Sequence, residues 1–186
     1  FGNIDELHLA KLLKVSEEKT LVSLMMINNE IGNILSIEAI GNVCKLNNAL
    51  FHSDTVQAIG HYKMDLQTTL VDFMVASAHK FHGPKGVGFA FFRKGFGILP
   101  MLHGGDQEKG ARSSTENVHA ILGMEKALEI AHNVLEEDKS YVKNLKSYFI
   151  NELKEISKDI LFNGLSGDLE KSSYTILNVR FPVKND

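Results

Sequence analysis

Apolar positions along the chain change their spacing repeatedly, and each change marks an element. Leucines at 7, 9, 12 and 13, within residues 5–14, follow the period of a short amphipathic helix. Leu21 to Ile27 is a continuous apolar run, too short for a typical helix, and reads as a buried strand. It gives way to Asn28-Asn29-Glu30-Ile31-Gly32-Asn33, which is polar and turn-forming. Ser36 then offers an N-cap to a helix whose apolar stripe is Ile37, Ile40, Val43 and Cys44. A second short strand is expected at Ala49-Leu50-Phe51-His52, ending at Ser53-Asp54, and a third over Val71 to Ala76.

The third strand leads into Ser77-Ala78-His79-Lys80 and then Phe81-His82-Gly83-Pro84-Lys85-Gly86. Gly86 to Arg93 is β-compatible, so a further strand is expected after this turn. Residues 94–114 read as a long glycine-rich loop, a length usually tied to function or disorder. Two helices are expected next. One runs from Glu116 to about Ala131, the other from Lys139 to Ile156 with Val142, Leu145, Phe149 and Leu153 at spacings of 3 and 4. Gly164 and Gly167 mark a boundary, and Tyr174 to Phe181 reads as a strand opening a further unit. Alternating strands and helices predict an α/β architecture with a mostly parallel sheet, in which polar chemistry gathers at the carboxyl ends of strands.

Composition adds limits rather than a function. Hydrophobic residues at 44% and charged residues at 23% are those of an ordinary globular protein. A net charge of −3 gives no reason to expect nucleic acid or an anionic membrane as partner. No apolar run reaches the roughly 18 residues needed to span a bilayer. The single cysteine, Cys44, rules out an internal disulfide framework and fits a reducing cytoplasm. The chain opens at Phe1 without methionine and stops at Val183-Lys184-Asn185-Asp186, after an apolar stretch, so both ends are expected to be cut from something longer.

Three polar groups fall at inferred strand ends: Asn28-Asn29, Asp54 and His79-Lys80. A lysine there, flanked by a hydroxyl, an imidazole and a glycine-rich turn, suits an imine with an aldehyde cofactor; the ordinary alternative is a solvated lysine. Such a cofactor also needs an acid for its ring nitrogen, a donor for its ring hydroxyl and a cradle for its phosphate. Asp54 can supply the carboxylate, although Asp after a strand is also a common turn residue. Gln57 can turn back as an amide donor, and Ser77 and His79 can donate to phosphate oxygens. His79 and His82 form only a weak metal-ligand pair. Gly83-Pro84-Lys85-Gly86-Val87-Gly88 is no nucleotide loop, since it lacks the Gly-Lys-Ser/Thr ending and precedes a strand. His103 and Arg112, on the long loop, are either interface or active-site groups.

Five stretches of this sequence, taken in order, resemble the cysteine desulfurase family of class V aminotransferase-type enzymes. They are Asn28-Asn29-Glu30-Ile31-Gly32, Phe51-His52-Ser53-Asp54-Thr55-Val56-Gln57, Ser77-Ala78-His79-Lys80 with Gly83-Pro84-Lys85-Gly86, Leu102-His103-Gly104-Gly105-Asp106-Gln107-Glu108 and Arg112-Ser113-Ser114-Thr115-Glu116-Asn117. The resemblance implies the large domain of a fold-type I transferase that uses pyridoxal phosphate, here over residues 1–163, with 164–186 the start of a small C-terminal domain. It makes Lys80 the Schiff-base lysine, with Asp54 on the pyridine nitrogen and Gln57 on the ring hydroxyl. Ser77 and His79 would bind the phosphate, and Asn29 would sit near the ring hydroxyl and the substrate carboxylate. Thr115 would reach the phosphate of a second subunit in a homodimer. L-cysteine would be the substrate, with sulfur passing through a mobile cysteine to an acceptor protein for iron-sulfur or thio-cofactor synthesis.

The departures from the family pattern are as informative. Its ring-stacking histidine and phosphate-binding threonine belong before Phe1, and its nucleophilic cysteine and carboxylate-binding arginine after the apolar stretch at 174–181. Cys44 lies on a helix's apolar stripe and is expected to be buried. Thr55, Asp106 and Ser114 stand where the family usually has alanine, glycine and glycine. Catalytic incompleteness is therefore expected, with another class V lyase, such as a selenocysteine lyase, or a non-catalytic dimerisation module as alternative readings.

Overall fold

The computed structural model describes residues 2–182; Val183 to Asp186, at the end of the proposed small-domain start, lie outside the described residues. Helix α1 (Glu6–Lys14) begins where the Asp5 carboxylate accepts the His8 amide at 2.9 Å, and its inward face ends in buried Leu13. Strand β1 (Leu21–Met25) follows, then helix α2 (Ile37–Leu46), capped by Ser36 as its spacing predicts, with the Ala39 amide donating to Ser36 Oγ at 3.2 Å. Strands β2 (Leu50–Asp54) and β3 (Phe73–Ser77) come next, joined by residues 55–72. Strand β4 (Gly88–Phe92) returns through the Gly-Pro-Lys-Gly turn.

These four strands form one sheet in the order β1-β2-β3-β4. The first three are parallel and β4 runs antiparallel to β3, so the sheet is mostly parallel. The tight turn before β4 explains its direction, because a parallel return needs a crossover and the turn is too short for one. Val22, Phe51, Met74 and Ala76 cover one face and pack with Leu13, Ile37, Ile40, Cys44 and Phe81 into the core. The other face carries Ser23, His52, Phe73 and, at 42% exposure, Phe92.

The two helices expected after residue 115 are a single helix, α3 (Val118–Ile156), 39 residues long. The acidic run Glu136-Glu137-Asp138 interrupts the apolar stripe but contains neither glycine nor proline, so nothing breaks the backbone. Leu135 is buried beside it, and Glu136 is held by Lys63 at 2.9 Å. The strand expected over 174–181 shrinks to β6 (Val179–Arg180), which pairs antiparallel with β5 (Leu161–Phe162). Tyr174 is buried against the rings of His61 and Tyr62, and the Ser173 amide donates to the Gly32 carbonyl at 2.7 Å. The chain there is committed to packing across the domain rather than to a ladder. Residues 94–117 are irregular apart from one short 3-10 turn (Gln107–Gly110), in which Glu108 and Lys109 take left-handed conformations. Among the described residues no helix is long and apolar enough to cross a membrane.

Candidate active site

Parallel strands place their carboxyl ends on one edge, and two of the expected polar groups, Asp54 and Ser77, lie at such ends. Asp54 is the last residue of β2 and Ser77 the last of β3. Asp54 registers with Val75, and side chains alternate along a strand, so Asp54 and Ser77 lie on the same face of the sheet. The Val56 amide donates to Asp54 Oδ1 at 2.9 Å, which fixes the carboxylate; among the described residues its second oxygen has no hydrogen bond. The neighbouring Thr55 is spent on structure. Its hydroxyl and its amide both donate to the Val75 carbonyl, at 2.8 and 3.1 Å.

Ser77 leads into a 3-10 turn, Ala78–Phe81, that carries the lysine. Side chains three apart eclipse in such a turn. Ala78 and Phe81, at 0% and 1% exposure, are therefore its inward anchors, while His79 is exposed and Lys80 half-buried. His82 ends the turn in a left-handed conformation, and the Gly83 amide closes it by donating to the Ala78 carbonyl at 2.8 Å. Behind the turn stands His61, whose Nε2 lies 2.9 Å from the Lys80 carbonyl. Nothing in the sequence pattern marks His61, because its partner is distant along the chain.

The β1 end contributes the loop bearing Asn29. Asn28 shapes it by accepting the Glu30 and Ile31 amides at 2.9 Å each, while the exposed Asn29 amide donates to Glu30 Oε1 at 2.8 Å. The loop is braced from the far end of the chain, since Asn178 Nδ2 donates to the Glu30 carbonyl at 3.0 Å. Gln57 is half-buried in the turn after β2. Thr115 stands apart, exposed in the segment before α3 and without a hydrogen bond to any of the other candidates.

The polar ends of Lys80, Gln57, Ser77 and His79 enter no ion pair or side-chain hydrogen bond among the described residues. Among the described residues the side chains of Lys80, Gln57, Ser77 and His79 are thus uncommitted, and Asp54 keeps one oxygen free. Cys44 is different in kind. It is 2% exposed, and burial, then the nearby Asp72 carboxylate, push its thiol up to about 11. It stays protonated and inert at neutral pH.

A mostly parallel sheet that gathers polar side chains past its strand ends is an architecture on which α/β enzymes place their ligand sites. The chain belongs to the class V aminotransferase family, which it matches over residues 1–183. It is 43% identical over 150 residues to a cysteine desulfurase IscS from Clostridium botulinum, covering 81% of this chain and 38% of that protein. Among solved structures it is similar to a NifS-like protein, with a TM-score of 0.88 and 40% identity over 96% of this chain and 47% of that one. It is also similar to SspA in complex with cysteine, at a TM-score of 0.75 and 26% identity, covering 97% and 48% of the two chains. The chain spans less than half the length of each of these relatives.

Proposed function

We propose that this chain is the cofactor-binding part of a cysteine desulfurase that carries pyridoxal phosphate on Lys80. What supports the reading is the register that sets Asp54 and Ser77 on one face of the sheet, with the turn Ala78–Phe81, which carries Lys80 between its two buried anchors, following Ser77 directly. The residues present fit the group, for they offer an uncommitted lysine, amide, hydroxyl and imidazole and a carboxylate with one oxygen still free. When bound, pyridoxal phosphate supplies an electron-withdrawing ring that stabilises negative charge at the α-carbon of an attached amino acid.

Lys80 Nζ is the covalent attachment point. The second oxygen of Asp54 holds the proton of the ring nitrogen, its partner oxygen being steadied by the Val56 amide. Gln57 donates to the ring hydroxyl, Ser77 and His79 bind phosphate, and Asn29 orients the ring hydroxyl and the substrate carboxylate. Thr115, exposed before α3 and hydrogen-bonded to none of the other candidates, serves the phosphate bound by a second copy in a homodimer. Residues 1–163 form the large domain and 164–186 begin the small one.

The substrate is L-cysteine, which leaves as L-alanine once its sulfur passes to a mobile enzyme cysteine and then to an acceptor protein. The relatives' names support this choice, since one is a cysteine desulfurase and another was solved with cysteine. Cys44 does not take the sulfur, because it is buried and protonated. The sulfur-accepting cysteine is therefore a residue other than Cys44. The setting is cytoplasmic, supported by that lone buried thiol.

The test is direct. Pyridoxal phosphate is added to the protein, the visible absorbance is recorded, and borohydride fixes the adduct for peptide mapping. Label is expected on Lys80; label on another lysine, or none, overturns the reading.

A further inference from the structure

We propose that His61 is a positioning residue for Lys80, acting through the lysine's own backbone carbonyl; the inference rests on the reading of Lys80 as the attachment point. Lys80 lies near the end of its 3-10 turn, where carbonyls run out of partners within the turn. The next available donor, the Gly83 amide, is taken by the Ala78 carbonyl at 2.8 Å. The Lys80 carbonyl is met instead by His61 Nε2 at 2.9 Å. A carbonyl can only accept, so Nε2 carries the hydrogen and the tautomer is set by this contact.

The approach is built in. Gly60 has φ +83°, and a methyl built on it would run into the Cβ of Phe81. Only glycine lets the backbone before His61 come close enough to Phe81 to bring the imidazole beneath the preceding carbonyl. The other ring nitrogen, Nδ1, lies 3.3 Å from the Tyr174 hydroxyl, which is also 3.3 Å from the His61 carbonyl. Tyr174 is 4% exposed and meets the imidazole edge-on at 6.1 Å between ring centres. The ring is therefore clamped between the lysine turn on one side and the segment after Gly164 on the other.

Holding the Lys80–Phe81 peptide plane fixes the Cα–Cβ direction from which the long lysine side chain starts. A reactive group must be held within about 0.5 Å of its productive place, and a lysine on a rocking peptide is not. Ala78 and Phe81 anchor the turn against the core, and the contact from His61 adds a hydrogen bond to the carbonyl between Lys80 and Phe81. His61 supplies that restraint through the backbone of Lys80.

The experiment compares wild type, His61→Phe and His61→Gln. Phenylalanine keeps a ring and loses the donor; glutamine keeps an N–H near the Nε2 position. Amide exchange over residues 78–83 is measured without cofactor, alongside melting temperature and the rate at which borohydride traps pyridoxal phosphate on Lys80. His61→Phe is expected to speed exchange in that segment and to slow trapping by roughly tenfold each, while His61→Gln stays within about twofold of wild type. Wild-type exchange and trapping in His61→Phe overturn the proposal. So does equal loss in both variants, which would make the imidazole's packing rather than its N–H the cause. Failure of wild type to trap cofactor overturns the reading of Lys80 instead, and the cofactor-free exchange arm tells the two failures apart.

Discussion

The Lys146 ammonium donates to Ser172 Oγ at 2.8 Å and to the Ser173 carbonyl at 2.7 Å, so one buried cation clamps α3 to the segment between β5 and β6. Burial pushes this ammonium down from 10.5 to about 8, against a smaller upward pull from Asp168. Its folded value lies below its unfolded one, so between about 8 and 10.5 the unfolded chain binds more proton. Stability from this group therefore rises with pH across that window and is lost as pH falls through 8. Cys44 opposes it. Its thiol, raised from 9.0 to about 11, ionises first in the unfolded chain, so above pH 9 it lowers stability. Tyr174, raised by burial from 10.0 to about 12, adds a further fall above pH 10. Urea midpoints are expected to climb between pH 8 and 9 in wild type and to stay flat in Lys146→Met. A climb that persists in the variant would place its source elsewhere.

Gly41 sits inside α2 with no room for a side chain. A methyl built there would run into the Leu70 carbonyl oxygen and come within 2.6 Å of Leu70 Cβ. Alanine is the better helix former by about 1 kcal/mol, whereas overpacking costs typically about 1–3 kcal/mol. The obstacle is backbone, which cannot rotate aside, so the clash wins. Gly41→Ala is expected to lose about 1–2 kcal/mol in urea unfolding. A stabilised variant would show that the connection from β2 to β3 gives way.

Strand ends were legible in the sequence because each apolar run stops at a residue whose chemistry differs sharply from the run. Asp54 and Lys80 stand out on that ground alone, and capping chemistry marks α2 at Ser36. Spacing along one chain does not show what packs beside it. At Glu136 the neighbours of α3 come from elsewhere in the chain: Lys63 pairs with Glu136, while Leu135 beside it turns into the interior. Tyr174 to Asn178 has the composition of a strand but is claimed by His61, Tyr62 and the Asn28–Asn33 loop. His61 was invisible for the same reason. Its role is set by the Lys80 carbonyl, a backbone atom that every residue carries.

Thr55 stands beside the proposed ring acid, where a polar side chain invites a catalytic interpretation. The structure directs its hydroxyl to the Val75 carbonyl, which already accepts the Thr55 amide. Removing the hydroxyl leaves that carbonyl satisfied, so the cost is a single hydrogen bond of about 1 kcal/mol. Thr55→Val, which removes the hydroxyl and keeps the buried volume, is expected to lower stability by about that amount and to leave cofactor attachment at Lys80 unchanged. Loss of attachment with the fold intact would move Thr55 into the site.

Asp54 has one observed job and one proposed, and a single substitution splits them. Its Oδ1 accepts the Val56 amide at 2.9 Å, which any acceptor of the same shape can do. Holding a proton on a ring nitrogen needs the negative charge as well. Asp54→Asn keeps the turn and discards the charge, so melting temperature and far-ultraviolet circular dichroism are expected to match wild type. A hydrogen bond to a charged partner is worth about 1.5–3 kcal/mol, so pyridoxal phosphate should bind about ten- to a hundredfold more weakly. At saturating cofactor, borohydride should still label Lys80, because the lysine itself is untouched. Asp54→Ala loses the turn contact too and is expected to combine weak cofactor binding with a lower melting temperature. Wild-type affinity in Asp54→Asn would remove Asp54 from the ring nitrogen while leaving Lys80 in place, since titration reads the acid and labelling reads the lysine.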